Sequence, residues 1–419
     1  MIRNTPLQNG LRLGALCLLP MSLPAAHAAG FIEDSKASLE LRNFYLNRDL
    51  HDGAGQNKRE EWAQGFILNI ESGYTQGTVG FGLDALGMLG VKLDSSPDRS
   101  GTDLLPRDSD NRAEDDYSKL GLTAKARFAE SQLKVGTLLP KMPYLQYSNS
   151  RLLPQTFEGW QLQSKDIDQL TATFGEVSRV VQRSVSGSEK LRLNNKNGRF
   201  GASPESDELR FAGMDFALSA QTLASYHYAE LSDVYRQHFV GLQHTAALGA
   251  GKLKSDLRYF NNSEAGQERV GAIDNQAYNA MFTYSLSGHA LGVAYQKMSG
   301  DEAFTYVDGA TPYLTNFLQI NDFAGPNERS WQLRYDYDFA NLGIPGLTFM
   351  TRYVSGDQIE RSNGQQGDEW ERDTDLAYTF SQGSLKNLKV TWRNATYRSN
   401  FSRGLDENRL ILSYVQPLW

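Results

Sequence analysis

The chain has 419 residues, six histidines, one cysteine and a formal net charge of −7 at pH 7. An acidic balance argues against a nucleic-acid partner, which requires a basic footprint, and a lone cysteine leaves no disulfide framework or thiolate metal cluster. Mean hydropathy is −0.49, and beyond the first residues no run approaches the roughly 18 apolar residues that a spanning helix needs.

The first 28 positions read as a secretory signal: Arg3 and Arg12 supply the positive region, an apolar stretch runs from Leu11 to Leu23, and Ala26-His27-Ala28 forms the cleavage site. Cys17 lies inside this segment behind the large Leu16, which does not suit a lipoprotein signal. Residues 29–419 are then one exported domain, since no Pro/Gly/Ser-rich linker divides them.

From there the pattern has period two. Leu39, Leu41 and Tyr45 alternate with Glu40, Arg42 and Arg48. Trp62, Gln64, Phe66, Leu68 and Ile70 then lead through a short turn to Val79, Phe81, Leu83 and Ala85, which predicts a hairpin. Leu120, Leu122, Ala124 and Ala126 alternate with Lys119, Gly121, Thr123, Lys125 and Arg127, and Leu253, Leu257 and Tyr259 with Lys254, Asp256 and Arg258.

The clearest strand spans 330–339, with Trp331, Leu333, Tyr335, Tyr337 and Phe339 on one face and Gln332, Arg334, Asp336 and Asp338 on the other. Leu347, Phe349 and Tyr353 then oppose Arg352, and Leu388, Val390 and Trp392 oppose Lys389 and Arg393. A last strand, Leu410 to Trp419, ends on an aromatic residue, with Arg409 just before it and Pro417 interrupting its register.

Aromatic faces paired with charged faces, end to end, are inside-out for a soluble protein and right for a barrel with lipid outside and water inside. Short turns such as 342–346 alternate with long polar stretches at 94–116, 184–206, 299–329 and 356–373. At about ten residues per crossing, the chain holds roughly 16 to 20 strands. The fold expected is all-β: one transmembrane antiparallel barrel of the outer membrane, with short periplasmic turns and long outer loops.

Strand parity puts Arg42, Arg48, Arg59, Lys125, Arg127, Arg334, Arg352, Lys389 and Arg393 on the wet face, with Arg409 added to the set. Guanidinium forks match carboxylates, and successive basic groups let an anion step from one to the next. Each of these residues is equally open to bracing the wall against an acid such as Asp84, Asp336 or Asp338. The acidic run 108–116 lacks the glycine of a calcium loop, Ala113 standing in its place. Gly249-Ala250-Gly251-Lys252 lacks the spacing of a phosphate loop, and no Gly-x-Ser-x-Gly or His-Glu-x-x-His occurs. No cofactor, metal site or catalytic residue is expected, which weighs against the rival reading of an outer-membrane barrel hydrolase.

Several segments together resemble the outer-membrane porin D (OprD) family of substrate-specific channels: Arg42-Asn43-Phe44-Tyr45-Leu46-Asn47-Arg48-Asp49, Glu71-Ser72-Gly73-Tyr74-Thr75-Gln76-Gly77, Ser150-Arg151-Leu152-Leu153-Pro154-Gln155-Thr156 and Pro345-Gly346-Leu347-Thr348-Phe349-Met350 among them. The resemblance covers essentially all of 29–419 and implies a monomeric 18-stranded barrel with inward constriction loops and a basic ladder conducting the substrate carboxylate. It places Arg151 on a constricting loop with Tyr144, Tyr147, Ser148, Asn149 and Ser150, and puts Tyr313 and the pore-facing acid Asp322 on another. Lys134 to Pro143 and Tyr147 to Arg151 look more like the branch that takes small carboxylates than the branch that takes basic amino acids. Partners implied are small carboxylate solutes, outer-membrane lipid and lipopolysaccharide, and the barrel-insertion machinery.

Overall fold

Period-two alternation over so many segments demands a sheet, and a sheet in lipid must leave no open edge. The computed structural model, which describes residues 30–361 and 363–419, answers this demand with a closed antiparallel barrel of 18 strands. The signal segment expected at 1–28 lies outside the described residues. The first six strands are β1 (Lys36–Leu50), β2 (Lys58–Glu71), β3 (Val79–Asp94), β4 (Asp116–Phe128), β5 (Ser131–Leu138) and β6 (Thr156–Ser164). Then come β7 (Leu170–Val181), β8 (Leu209–Ser219), β9 (Thr222–Leu231), β10 (Tyr235–Leu248), β11 (Gly251–Glu264) and β12 (Asp274–Leu286). The last six are β13 (His289–Ser299), β14 (Arg329–Asp338), β15 (Leu347–Glu360), β16 (Gln366–Thr379), β17 (Leu388–Ser399) and β18 (Leu405–Pro417).

Each strand pairs with the next, and β1 closes the ring by pairing with both β2 and β18, so that Arg42 lies opposite Gly65 on one side and Ser413 on the other. At one end the connections are tight, at 129–130, 220–221, 249–250 and 287–288; at the other lie the loops 95–115, 139–155, 182–208 and 300–328. That asymmetry marks the tight end as periplasmic. In the longer turn after β14, Gly343 sits at a φ of 81° and caps the short helix Phe339–Leu342, a left-handed conformation open to glycine without strain.

The lipid face carries Phe81, Leu122, Trp331, Leu333 and Leu120, the last 76 % exposed. Tyrosine pairs such as Tyr259 and Tyr278, with ring centroids 5.0 Å apart, belong to the aromatic side chains that girdle such barrels. On the inner face of the periplasmic half, Arg334 pairs with Asp336 at 2.7 Å and Lys125 with Asp84 at 2.6 Å. Gly82 makes room for that lysine, because a Cβ there would stand 2.4 Å from its Cε.

The outer half of the lumen is not uniformly polar. Phe44 and Leu46 of β1 point inward and bury against Leu104 and Leu105 of loop 95–115 and Leu152 and Leu153 of loop 139–155. Phe239 and Phe260 do the same for Phe304 and Leu314 of loop 300–328. Each such side chain contributes about 1.5–3 kcal/mol when fully buried, so the loops are folded into the barrel as a core.

The polar stretch 356–373, expected as a loop, is mostly strand: β15 and β16 run on as a hairpin, with Glu360 opposite Gln366. Its inner face carries Glu369, Glu371 and Asp373, all buried under loop 300–328. An inner face that accepts backbone N–H groups needs acids there, and acids erase the apolar signal on which strand prediction depends.

Candidate functional site

Two inward loops narrow the lumen, and charged wall residues hold each in place. Arg42 donates from Nη1 to the carbonyls of Arg151 at 3.0 Å and Leu152 at 3.1 Å, and to Asn149 Oδ1 at 2.8 Å. Lys119 on β4 does likewise, its ammonium reaching the carbonyls of Pro154 at 3.3 Å, Gln182 at 2.5 Å and Arg183 at 3.0 Å.

On the far wall the signs reverse. Glu371 accepts the N–H groups of Ile320 and Asn321, both at 2.8 Å, and Asp373 accepts that of Gln319 at 3.2 Å. Asn321 donates its side-chain amide to Glu369. Loop 300–328 is also latched to loop 182–208: Arg199 grips Asp322 at 2.7 and 2.5 Å, and Tyr306 donates to the same carboxylate at 2.7 Å. Burial opposes ionisation of Asp322, but Arg199 and then Lys196 outweigh it and hold the carboxyl well below the usual range.

Between the loops is a cavity of ≈ 520 Å³ whose lining includes Arg48, Arg151, Arg183, Lys196, Arg352, Arg393 and Arg409, against the acids Asp103, Asp373 and Asp375. Arg352 is paired with Asp373 at 2.7 Å and Arg393 with Asp375 at 3.1 Å. Arg48 and Arg409 share Glu407, each at 2.5 Å. Arg409 also reaches across the constriction, towards the carbonyl of Ser150 at 3.5 Å and that of Gln319 at 3.3 Å.

Arg151 has no carboxylate bond among the described residues; it donates to the carbonyls of Thr102 at 2.8 Å and Ser150 at 2.9 Å. Burial, then the neighbouring cations Arg409 and Arg183, pull its pKa well below the usual arginine value. Arg183 binds Ser150 Oγ at 2.8 Å and Ser148 Oγ at 3.3 Å, with Asp103 at 3.9 Å.

Of the basic residues expected along the lumen, Arg48, Arg151, Arg352, Arg393 and Arg409 meet at this cavity. Arg42 stands behind the loop that it clamps. Arg59 binds the carbonyl of Gly101 at 3.2 Å, and Arg127 lies over the Tyr74 ring at 4.5 Å near the periplasmic end. Lys125 and Arg334 hold their acids in that same half, and the exposed Lys389 lies low on β17 opposite Thr379.

Asp322 corrects the expectation of a pore-facing acid: it is wholly buried, and its two oxygens are occupied by the latch. Tyr144 is also buried, its ring 5.1 Å from Phe211, where it packs its loop against the wall. Tyr147 packs into the same cluster, and Tyr313 is covered by the Arg258 guanidinium 3.7 Å from its ring centroid. Arg183 and Lys196 escaped the sequence reading because both sit in a polar outer stretch, where no strand parity says which way a side chain points.

A closed barrel with an apolar belt and loops that constrict a charged, wet lumen is an outer-membrane channel. The family model described as outer membrane porin, OprD family, matches residues 29–418, and the chain belongs to that family. It is 38 % identical to the porin-like protein GalP of Pseudomonas putida, over 96 % of each chain. The structure of OccK5 (OpdH) of Pseudomonas aeruginosa is 57 % identical with a TM-score of 0.85, covering 93 % of this chain and all of that one. That of OpdK with vanillate, from the same organism, is 38 % identical with a TM-score of 0.88 and the same coverage. The protein is therefore a substrate-specific porin of the outer membrane and not an enzyme.

Proposed function

We propose that the channel passes small solutes carrying a carboxylate, and that the cations around the constriction are their path. The observation behind this reading is the excess of cations over carboxylates at one narrow cavity: six arginines and Lys196 line it beside three acids. Guanidinium forks match carboxylate geometry, and low-dielectric walls focus their field and raise the local anion concentration. The binding of vanillate, an aromatic carboxylate, to the related OpdK supports the same class of solute.

The rival within the family, uptake of basic amino acids, needs a free acid at the constriction. Asp373 and Asp375 are each engaged by an arginine, Asp322 is latched away from the pore, and the one looser acid of the lining, half-exposed Asp103, faces Arg183 at 3.9 Å among a majority of cations. The test is single-channel recording of the refolded protein in a planar bilayer, with benzoate, citrate and arginine titrated in turn onto one side. Block or current carried by a carboxylate, with arginine inert, supports the reading; a response to arginine alone overturns it.

A further inference from the structure

Glu407 on β18 is the one fully buried carboxylate shared by two cavity-lining arginines among the described residues. Its Oε2 takes Arg48 Nε at 2.7 Å and Nη2 at 2.5 Å; its Oε1 takes Arg409 Nε at 2.7 Å and Nη2 at 2.5 Å. Gln319 of loop 300–328 donates to Oε1 at 3.1 Å. The Nε edge of each guanidinium is thus turned to the wall. Glu407 itself does not line the cavity that Arg48 and Arg409 line.

Arg48, Arg151, Arg183 and Arg409 all border this space, and the only other acid paired with this group among the described residues is Asp103, half-exposed and 3.9 Å from Arg183. Four guanidiniums with so little compensation would hold an anion strongly. Conduction requires a station favourable enough to enter and weak enough to leave. A buried negative charge directly behind two of the cations lowers the field that they present without competing for the solute.

We propose that Glu407 is a positioning residue that sets how long a carboxylate dwells at the constriction, by fixing Arg48 and Arg409 and offsetting part of their charge. The inference rests on the carboxylate reading above. Glu407→Gln keeps the size and one acceptor but removes the charge. Benzoate should then block about tenfold longer per event and its maximal flux should fall, while open-channel noise in potassium chloride should not grow. Glu407→Asp, which keeps the charge, should stay within about twofold of wild type.

A residue that merely held loop 300–328 through Gln319 would behave otherwise: both variants, and Gln319→Leu with them, would raise conductance and noise with no longer dwell. Unchanged or shorter dwell in Glu407→Gln, or equal effects of Gln and Asp, would overturn the inference. Should Glu407→Gln not assemble, the same comparison is made in an Arg48→Gln background, where less positive charge is left uncompensated. A double variant that dwells no longer than Arg48→Gln alone then overturns it. Wild-type protein that responds to neither benzoate nor citrate would sink the carboxylate reading itself; a wild-type block with dwell indifferent to Glu407 sinks the positioning role alone.

Discussion

Loop 139–155 and loop 300–328 both turn into the lumen, and the wall grips them with opposite charges. The first is held by cations, Arg42 and Lys119, that take its carbonyls; the second by anions, Glu371 and Asp373, that take its N–H groups. A loop inside a barrel must satisfy its backbone polar groups without a sheet, and wall charges do this, Arg42, Lys119 and Glu371 without lining the cavity. Charge on the lumen face therefore does not by itself mark a contact with solute: Arg42 and Glu371 bear on the constriction through the loops they hold.

The latch of the second loop offers the hardest break. Asp322→Asn leaves Arg199 buried without its anion, and losing one partner of a buried pair costs about 3–5 kcal/mol. The loop should detach and the open-channel current become larger and noisier; a quiet channel of wild-type conductance would mean that the latch is dispensable. Next comes the cationic side. Arg42→Met strands two loop carbonyls, at about 1–3 kcal/mol for a buried group left unpaired. Carboxylate block should weaken although Arg42 lies outside the cavity, and the melting temperature in detergent should drop by a few degrees.

A pH titration sharpens the contrast further. Glu328, at the root of the anion-held loop, is buried and accepts the N–H of Gly325 at 2.8 Å; burial, then the neighbouring Glu369 charge, raises its pKa well above the usual carboxylate value. A group with a raised folded pKa contributes stability that is complete below its unfolded value and is lost as pH rises through the folded one. Current noise from this loop should therefore grow toward alkaline pH, and Glu328→Gln should flatten that dependence. Noise that grows instead toward acid pH would contradict the assignment. The smallest effect is expected far from both loops. Arg393→Ala should weaken benzoate block severalfold, whereas Arg127→Ala, at the periplasmic end over Tyr74, should change it less than about twofold at 0.1 M salt, where screening acts over about 10 Å.

The same contrast explains what was legible in the sequence. Alternation in segments such as 330–339 is enough for the barrel, because lipid and water on opposite faces leave no other arrangement. It is silent once a loop covers the inner face: Phe44 and Leu46 share a parity with Arg42 and Arg48, and only the docked loops make them apolar neighbours of a charged wall. Arg48, Arg352, Arg393 and Arg409 could be placed facing inward from their strands, but which of them line the cavity depends on where 139–155 and 300–328 come to rest. Asp322 was misplaced for the same reason, since its burial depends on Arg199, more than a hundred residues away along the chain. Strand register is a local property; the constriction is not.

Arg48 and Glu407 face each other directly in the pairing of β1 with β18. The contact that holds Arg48 therefore crosses the seam where the first and last strands meet, whereas Arg409 meets the same carboxylate within β18. A chain whose ring has not yet zipped shut lacks that contact, so selectivity and closure are completed together. The bond between these two side chains serves as a built-in proof of assembly, and a half-made barrel cannot carry a finished filter.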